Sequence, residues 1–184
     1  REAQGIGPEL ITQTISLTRE ETPNRRFLPG FAQPGAVRLF DHIWPELAEA
    51  FVGLGSQGID VIVDAGRLGR DGLPIALLEI ADAIGFVLQS NLKSLAASRL
   101  YLPLLVEQVS SLPADRPLGL MLVGPDRPYS AHEITAQFGI DCWARIPWDP
   151  RPAGVQSGYP KKASASSELD EFQQLALPSL QIHP

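Results

Sequence analysis

The sequence predicts an α/β fold: a three-layer sandwich built on a mainly parallel, doubly wound sheet. Three observations carry that expectation. Apolar strand patterns and amphipathic helix patterns alternate four times along the chain, which favours βαβ units over separated layers. The strand patterns, such as Val61-Ile62-Val63 and Leu118-Gly-Leu-Met-Leu-Val123, are near-continuous apolar runs, as expected of strands buried on both faces. Glycine and proline, 16 and 17 of the 184 residues, punctuate these patterns at the spacing such units need.

Residues 1–36 carry the weakest pattern. Thr12 to Thr18 fits a strand or a loop, and Arg25-Arg26-Phe27-Leu28 a short strand ended by Pro29-Gly30. Ile43 to Leu54 reads as a helix, with Pro45 in its first turn and Ile43, Leu47, Ala48, Phe51 and Leu54 on one face. Gly53, Gly55 and Gly58 end it and release the chain into a buried strand at Val61–Val63. A glycine-rich link (Gly66, Gly69, Gly72) leads to a short helix from Pro74 to Ala81, then a buried strand from Ile84 to Leu88. Ser90 or Asn91 caps the next helix, which runs to about Ser111 with Leu92, Leu95, Ala96 and Leu100 inward and Pro103 kinking or dividing it. Leu118–Val123 is the third strand. Ser130-Ala-His-Glu133 is a capping box for a helix terminated by Gly139, and the fourth strand lies within Ile140–Ile146. Prolines 147, 150, 152 and 160 forbid a continuous helix after it. The chain is therefore read as one domain over 1–184, loop-like at 151–167, with a last helix over 168–178.

Composition narrows the function. Hydrophobic residues at 44% and charged residues at 20% are ordinary for a folded chain. A net charge of −6 and a pI near 5.0 do not favour a broad nucleic-acid footprint, which needs clustered Lys and Arg. The acidic last helix (Glu168, Asp170, Glu171) lacks the basic amphipathic face of a membrane anchor. His42, His132 and His183 show no metal spacing, and Asp41-His42 reads as a helix-capping pair. Cys142, the single cysteine, reads as a small core residue, and Trp143 as packing. Trp148 reads as packing too, or as a surface against a base or a partner. Residue 1 is Arg and Met121 is the one methionine, so the chain is read as a processed product or part of something longer.

Asp60-Val-Ile-Val-Asp64-Ala-Gly66-Arg67 is the most informative stretch. It places a carboxylate at the carboxyl end of a strand, where open α/β sheets bind ligands. A single acid there suits a largely hydrated magnesium ion beside a phosphate, and Gly66 lets backbone approach a phosphate oxygen. The plain alternative is an acid capping a strand before a glycine turn.

In order along the chain, several landmarks resemble the carboxyl-terminal two-thirds of a MinD/ParA-type P-loop ATPase. Asp60-Val-Ile-Val-Asp64-Ala-Gly66-Arg67-Leu68 is similar to the second nucleotide motif (Walker B) and the start of its switch loop. Ala81-Asp82-Ala-Ile-Gly-Phe-Val-Leu resembles the segment that follows, and Ser94-Leu95 the helix after it. Leu118–Gly124 resembles the strand whose end carries a base-contacting Asn, and Ile146-Pro147-Trp148-Asp149 an IPxD element. The resemblance covers about residues 27–178. It implies a P-loop NTPase-like sheet, ATP and Mg2+ as cofactors, and ATP hydrolysis by a cytoplasmic homodimer acting in positioning or partitioning. Carried over by position, Asp64 holds magnesium through water and Gly66 senses the terminal phosphate, while Arg67 reaches that phosphate or a partner's acid, or is a plain exposed loop arginine. Gly124, Pro125, Pro147 and Asp149 border the base.

Two departures matter. The phosphate loop with its lysine is absent: Gly5-Ile6-Gly7-Pro8 lacks the lysine, and Pro8 removes an N–H donor. Gly124-Pro125-Asp126 stands where the family carries Asn. The family's phosphate-loop strand lies beside the Walker B strand, so without it Val61–Val63 is expected to expose an open edge unless the sheet closes in another way. These departures favour a rival reading, a catalytically silent MinD-like scaffold or protein-interaction module. A flavodoxin-like receiver fits less well, because no late strand ends in lysine.

Overall fold

The computed structural model describes residues 7–17, 25–30, 42–124 and 128–147. The chain divides into two compact units, one formed by residues 1–84 and 100–117, the other by 85–99 and 118–184.

In the first unit, helix α1 (Gly7–Thr12) precedes a two-stranded antiparallel ribbon, β1 (Ile15–Ser16) and β2 (Arg26–Phe27). Arg26 Nε donates to Thr14 Oγ1 at 2.6 Å and fixes the ribbon's entry. The stretch left open between strand and loop thus pairs with the expected short strand, although both strands are exposed. Helix α2 (Trp44–Gly55) packs against α1 and α3 (Ile75–Ile80). Its buried residues are Ala48, Ala50 and Leu54. Of the expected Asp41-His42 capping pair, His42 does not occupy the N-cap position. The N-cap is Ile43, which makes no side-chain capping bond, and the first turn relies on Pro45, whose missing N–H has no intrahelical partner to lose. Asp41 itself lies outside the described residues.

The second unit holds a three-stranded parallel sheet of order β3-β4-β5, comprising β3 (Ile84–Gln89), β4 (Leu118–Val123) and β5 (Cys142–Ile146). Central β4 buries Gly119, Leu120 and Leu122, as its continuous apolar run requires. Among the described strands β3 is an edge rather than a fully buried strand: Ile84 and Leu88 are buried while Gly85 and Val87 are exposed. Helix α5 (Ala131–Phe138) crosses over from β4 and packs on β5 with Ala131 and Ile134 buried. Its capping box is formed as the sequence predicts. Ser130 N–H donates to Glu133 Oε2 at 2.8 Å, and Glu133 N–H to Ser130 Oγ at 3.2 Å. The first of these bonds, together with one from the Ser130 hydroxyl to Glu133 Oε2 at 2.7 Å, favours the carboxylate and holds the Glu133 pKa below its ordinary value. Gly139 closes the helix with φ +67°, a conformation in which glycine carries no Cβ penalty.

Further expectations are overturned. Val61–Val63 is not a buried strand. The stretch joins no sheet, and Ile62 is 95% exposed. β-Branched residues favour a strand only where a neighbouring strand pairs with them, and none of the described segments does so here. In helix α4 (Leu92–Ser110) the buried stripe is Ser98, Leu102, Leu105 and Val109, with Leu95 half-buried, and not the face of Leu92, Ala96 and Leu100, all exposed. The 3-4-3-4 spacing from Leu95 to Val109 holds one face, whereas the four-residue steps from Leu92 to Leu100 drift around the helix. Pro103 sits inside α4 without ending it. Cys142 is half-buried rather than a core residue.

Candidate functional site

The loop that leaves α2 begins in a turn at Gly58, φ +76°, and the Ile59 N–H donates back to the Leu54 C=O at 3.1 Å. From there the chain runs exposed, outside any helix or strand, to Asp64. Asp64 Oδ1 accepts from the Gly66 N–H at 2.9 Å, closing an Asx-turn, with Gly66 at φ +68°. Arg67 is exposed at the tip of the bend. The predicted trio thus comes together locally, with the acid and the glycine N–H bonded to each other. A lone exposed carboxylate with one oxygen so engaged fits a magnesium ion that keeps most of its water. Among the described residues no group of three His, Cys, Asp or Glu side chains forms a protein cage for a metal.

In the second unit, the carboxyl edge of the sheet is tied together by backbone. The Ser90 N–H donates to the Val123 C=O at 3.2 Å, the buried Ser90 hydroxyl donates to the Gly124 C=O, and the Gly124 N–H donates to the Ile146 C=O at 2.8 Å. Gly124 has φ +65°. These bonds bring Gly124 beside Ile146-Pro147, so two of the four predicted base-rim residues share one strand edge. Pro125 and Asp149 lie outside the described residues, as do Trp148, the loop at 151–167, the helix at 168–178 and His183. Asp64, Gly66 and Arg67 belong to the other unit.

One of the two caps offered for α4 is realised, and one residue escaped the sequence reading. Ser90 does not cap α4; Asn91 does, its Oδ1 accepting from the Ser94 N–H at 2.9 Å, while Ser94 Oγ accepts from the Gln89 N–H at 3.0 Å. The Asn-x-x-Ser spacing was the available signal. Gln108, whose amide bonds the backbone of Leu73, carries no signal in the sequence at all. Trp143 packs flat over Gly119, in keeping with its assignment to packing.

No family model matches the sequence, and no curated protein matches it. Among solved structures, the chain is similar to a ParA family ATPase from Chlorobium tepidum TLS, with 21% identity and a TM-score of 0.59 over 82% of this chain. The match covers 60% of that structure's chain, so the present chain spans about three fifths of its length. The likeness shows a shared fold, of the P-loop NTPase-like α/β kind that the sequence predicts. No helix among the described residues is long and apolar enough to cross a membrane.

Proposed function

We propose that this chain is the carboxyl-terminal portion of a ParA/MinD-like ATPase that uses ATP and Mg2+ as a conformational switch. The observation that carries this reading is the Asp64–Gly66 turn at the mouth of a glycine loop, in a chain that shares the fold of a ParA family ATPase. Asp64 holds the metal through water. The Gly66 N–H, bonded to Asp64 Oδ1 at 2.9 Å, exchanges that bond for one to the terminal phosphate. Arg67 reaches the phosphate or an acid on a second subunit. Gly124, Pro125, Pro147 and Asp149 border the base. The intact protein is a cytoplasmic homodimer that closes around nucleotide, with ordering of the 64–73 loop as its output in positioning or partitioning.

The test is magnesium-dependent ATP binding and turnover by the full-length protein and its Asp64→Asn variant. Loss of magnesium dependence in the variant supports the assignment, and equal binding and turnover in both removes Asp64 from the mechanism. A second reading, a catalytically silent scaffold, is favoured by the lack of a glycine-rich Gly-Lys-Ser/Thr loop in these 184 residues and by Gly124-Pro125-Asp126 in place of the base-contacting Asn. The residues immediately upstream of Arg1 discriminate: a phosphate loop there supports the ATPase, and its absence supports the scaffold.

A further inference from the structure

The glycine loop is fastened at its far end by one side chain. Leu73 N–H donates to Gln108 Oε1 at 3.1 Å, and Gln108 Nε2 donates to the Leu73 C=O at 3.2 Å. A carboxamide thereby satisfies both backbone groups of one residue, as a neighbouring strand would do, across 35 residues of sequence. The fit is close. A Cβ on Gly72 would lie 2.1 Å from Gln108 Oε1 and 2.5 Å from its Cδ and Nε2, and Gly72 has φ +69°. Glycine is therefore required there both for backbone conformation and for the approach of the amide. Between Gly66 and this point, the described backbone bonding is the Gly72 N–H to Gly69 C=O turn at 3.3 Å, and Arg67 and Arg70 are exposed.

We propose that Gln108 is the positioning residue of the 64–73 loop. It clamps the loop's end to helix α4, so that Gly66 and Arg67 move only within the span between the Asp64 turn and Leu73. The clamp stands on its own geometry; its service to a nucleotide switch rests on the function proposed above. Only a group that both accepts and donates makes this pair of bonds. Alanine makes neither. An ionised carboxylate accepts from the Leu73 N–H but faces the Leu73 C=O with no proton, whereas a protonated carboxyl restores both bonds. Because the bonded form of an introduced acid is the protonated one, its pKa rises. Its clamp is present at low pH and is lost as pH rises through that value.

The test uses the whole 184-residue chain without nucleotide, in wild type and in Gln108→Ala, Gln108→Glu, Gly72→Ala and the control Gln137→Ala, whose amide bonds Arg99 in the other unit. Amide exchange at Leu73, corrected for intrinsic chemistry, is read against exchange at the buried Leu120, and trypsin cleavage after Arg67 and Arg70 is followed in parallel. Gln108→Ala and Gly72→Ala are expected to speed Leu73 exchange and loop cleavage about tenfold, the size expected for losing this pair of bonds. Leu120 and the control stay unchanged. Gln108→Glu is expected to match wild-type protection of Leu73 near pH 5 and to lose part of it by about pH 7.5, while wild type varies little over the same range. The loss is smaller than in Gln108→Ala, because the carboxylate keeps the Leu73 N–H but repels the Leu73 C=O. Unchanged Leu73 exchange in both disrupting variants, a rise shared equally by Leu120, or a pH-independent Gln108→Glu overturns the clamp. If the clamp survives and magnesium-ATP leaves loop exchange unaltered in the full-length protein, the switch fails and the clamp stands.

Discussion

Replacing Gly119 by alanine tests the packing of the second unit most directly. The glycine is buried in β4, and an alanine Cβ there would fall 2.0 Å from Cδ2, 2.2 Å from Cε2 and 2.5 Å from Cγ of Trp143. Carbon atoms rest at roughly 3.5–4.0 Å, so one rigid bicycle has to move by about 1.5 Å or leave. Overpacking of this kind costs about 1–3 kcal/mol. Against it stands a gain of about 0.4–1 kcal/mol from the stiffer unfolded chain, leaving a net loss of about 1–2 kcal/mol. At a few degrees per kcal/mol for a chain of this length, Tm should fall by about 3–6 °C. A double-mutant cycle isolates the cause. Trp143→Ala alone should cost about 2 kcal/mol, roughly half the penalty for a fully buried aromatic, because the indole is half-buried. In that background Gly119→Ala should become neutral or slightly stabilising, a coupling of about 1.5–2 kcal/mol. Urea unfolding followed by far-UV circular dichroism reads all four proteins without relying on tryptophan emission. If the two changes add within about 0.5 kcal/mol, the ring does not lie on Gly119 and the packing argument is wrong.

Other outcomes follow from particular residues. Ile62→Asp should change stability by less than about 0.5 kcal/mol, because the side chain is almost wholly exposed, whereas a buried strand would lose several times more; chemical denaturation decides. Glu133 contributes to stability as a carboxylate with a lowered pKa, so its contribution is complete above the ordinary glutamate range. It is lost as pH falls from about 4.3 through the lower folded value, and the difference between wild type and Glu133→Gln in urea titrations should shrink on that limb. Residues 1–184 alone should not hydrolyse ATP, because the phosphate-loop lysine and its cradle of N–H groups are missing from this sequence; steady phosphate release by the purified chain would show the site to be misplaced.

What was legible in the sequence was what neighbouring residues decide among themselves. Ser130, Glu133 and Gly139 mark both ends of α5 because capping is a matter of three or four positions. The Asp64–Gly66 turn is equally local, and the central strand announces itself through an unbroken apolar run. What failed depended on distant partners. Val61–Val63 has the composition of a strand, but composition does not supply the neighbour that would bury it. Helix α4 is apolar on several faces, so its buried stripe is chosen by what packs against it and not by its own pattern. Gln108 and Leu73, or Gly124 and Ile146, meet only through the folded chain.

The pairing of β4 with β5 carries a one-residue irregularity. Leu120 faces Cys142, but Met121 faces Ala144, so Trp143 is an additional residue that the partner strand does not match. Beyond it the register runs on regularly to Val123 and Ile146. Such an inserted residue sets phase: side chains alternate every residue, so adding or removing one position exchanges the faces of everything downstream. Deleting Trp143 itself would straighten the ladder and leave Ile146 opposite Val123, whereas deleting Arg145 beyond it would put Ile146 opposite Leu122, one position (about 3.3 Å) short of the Gly124 N–H, and turn it to the other face. The chain leaving the sheet at Pro147 would then start from the wrong side. The length of this strand beyond Trp143 is thus a setting in its own right, and substitutions there should be borne far better than a change in its count.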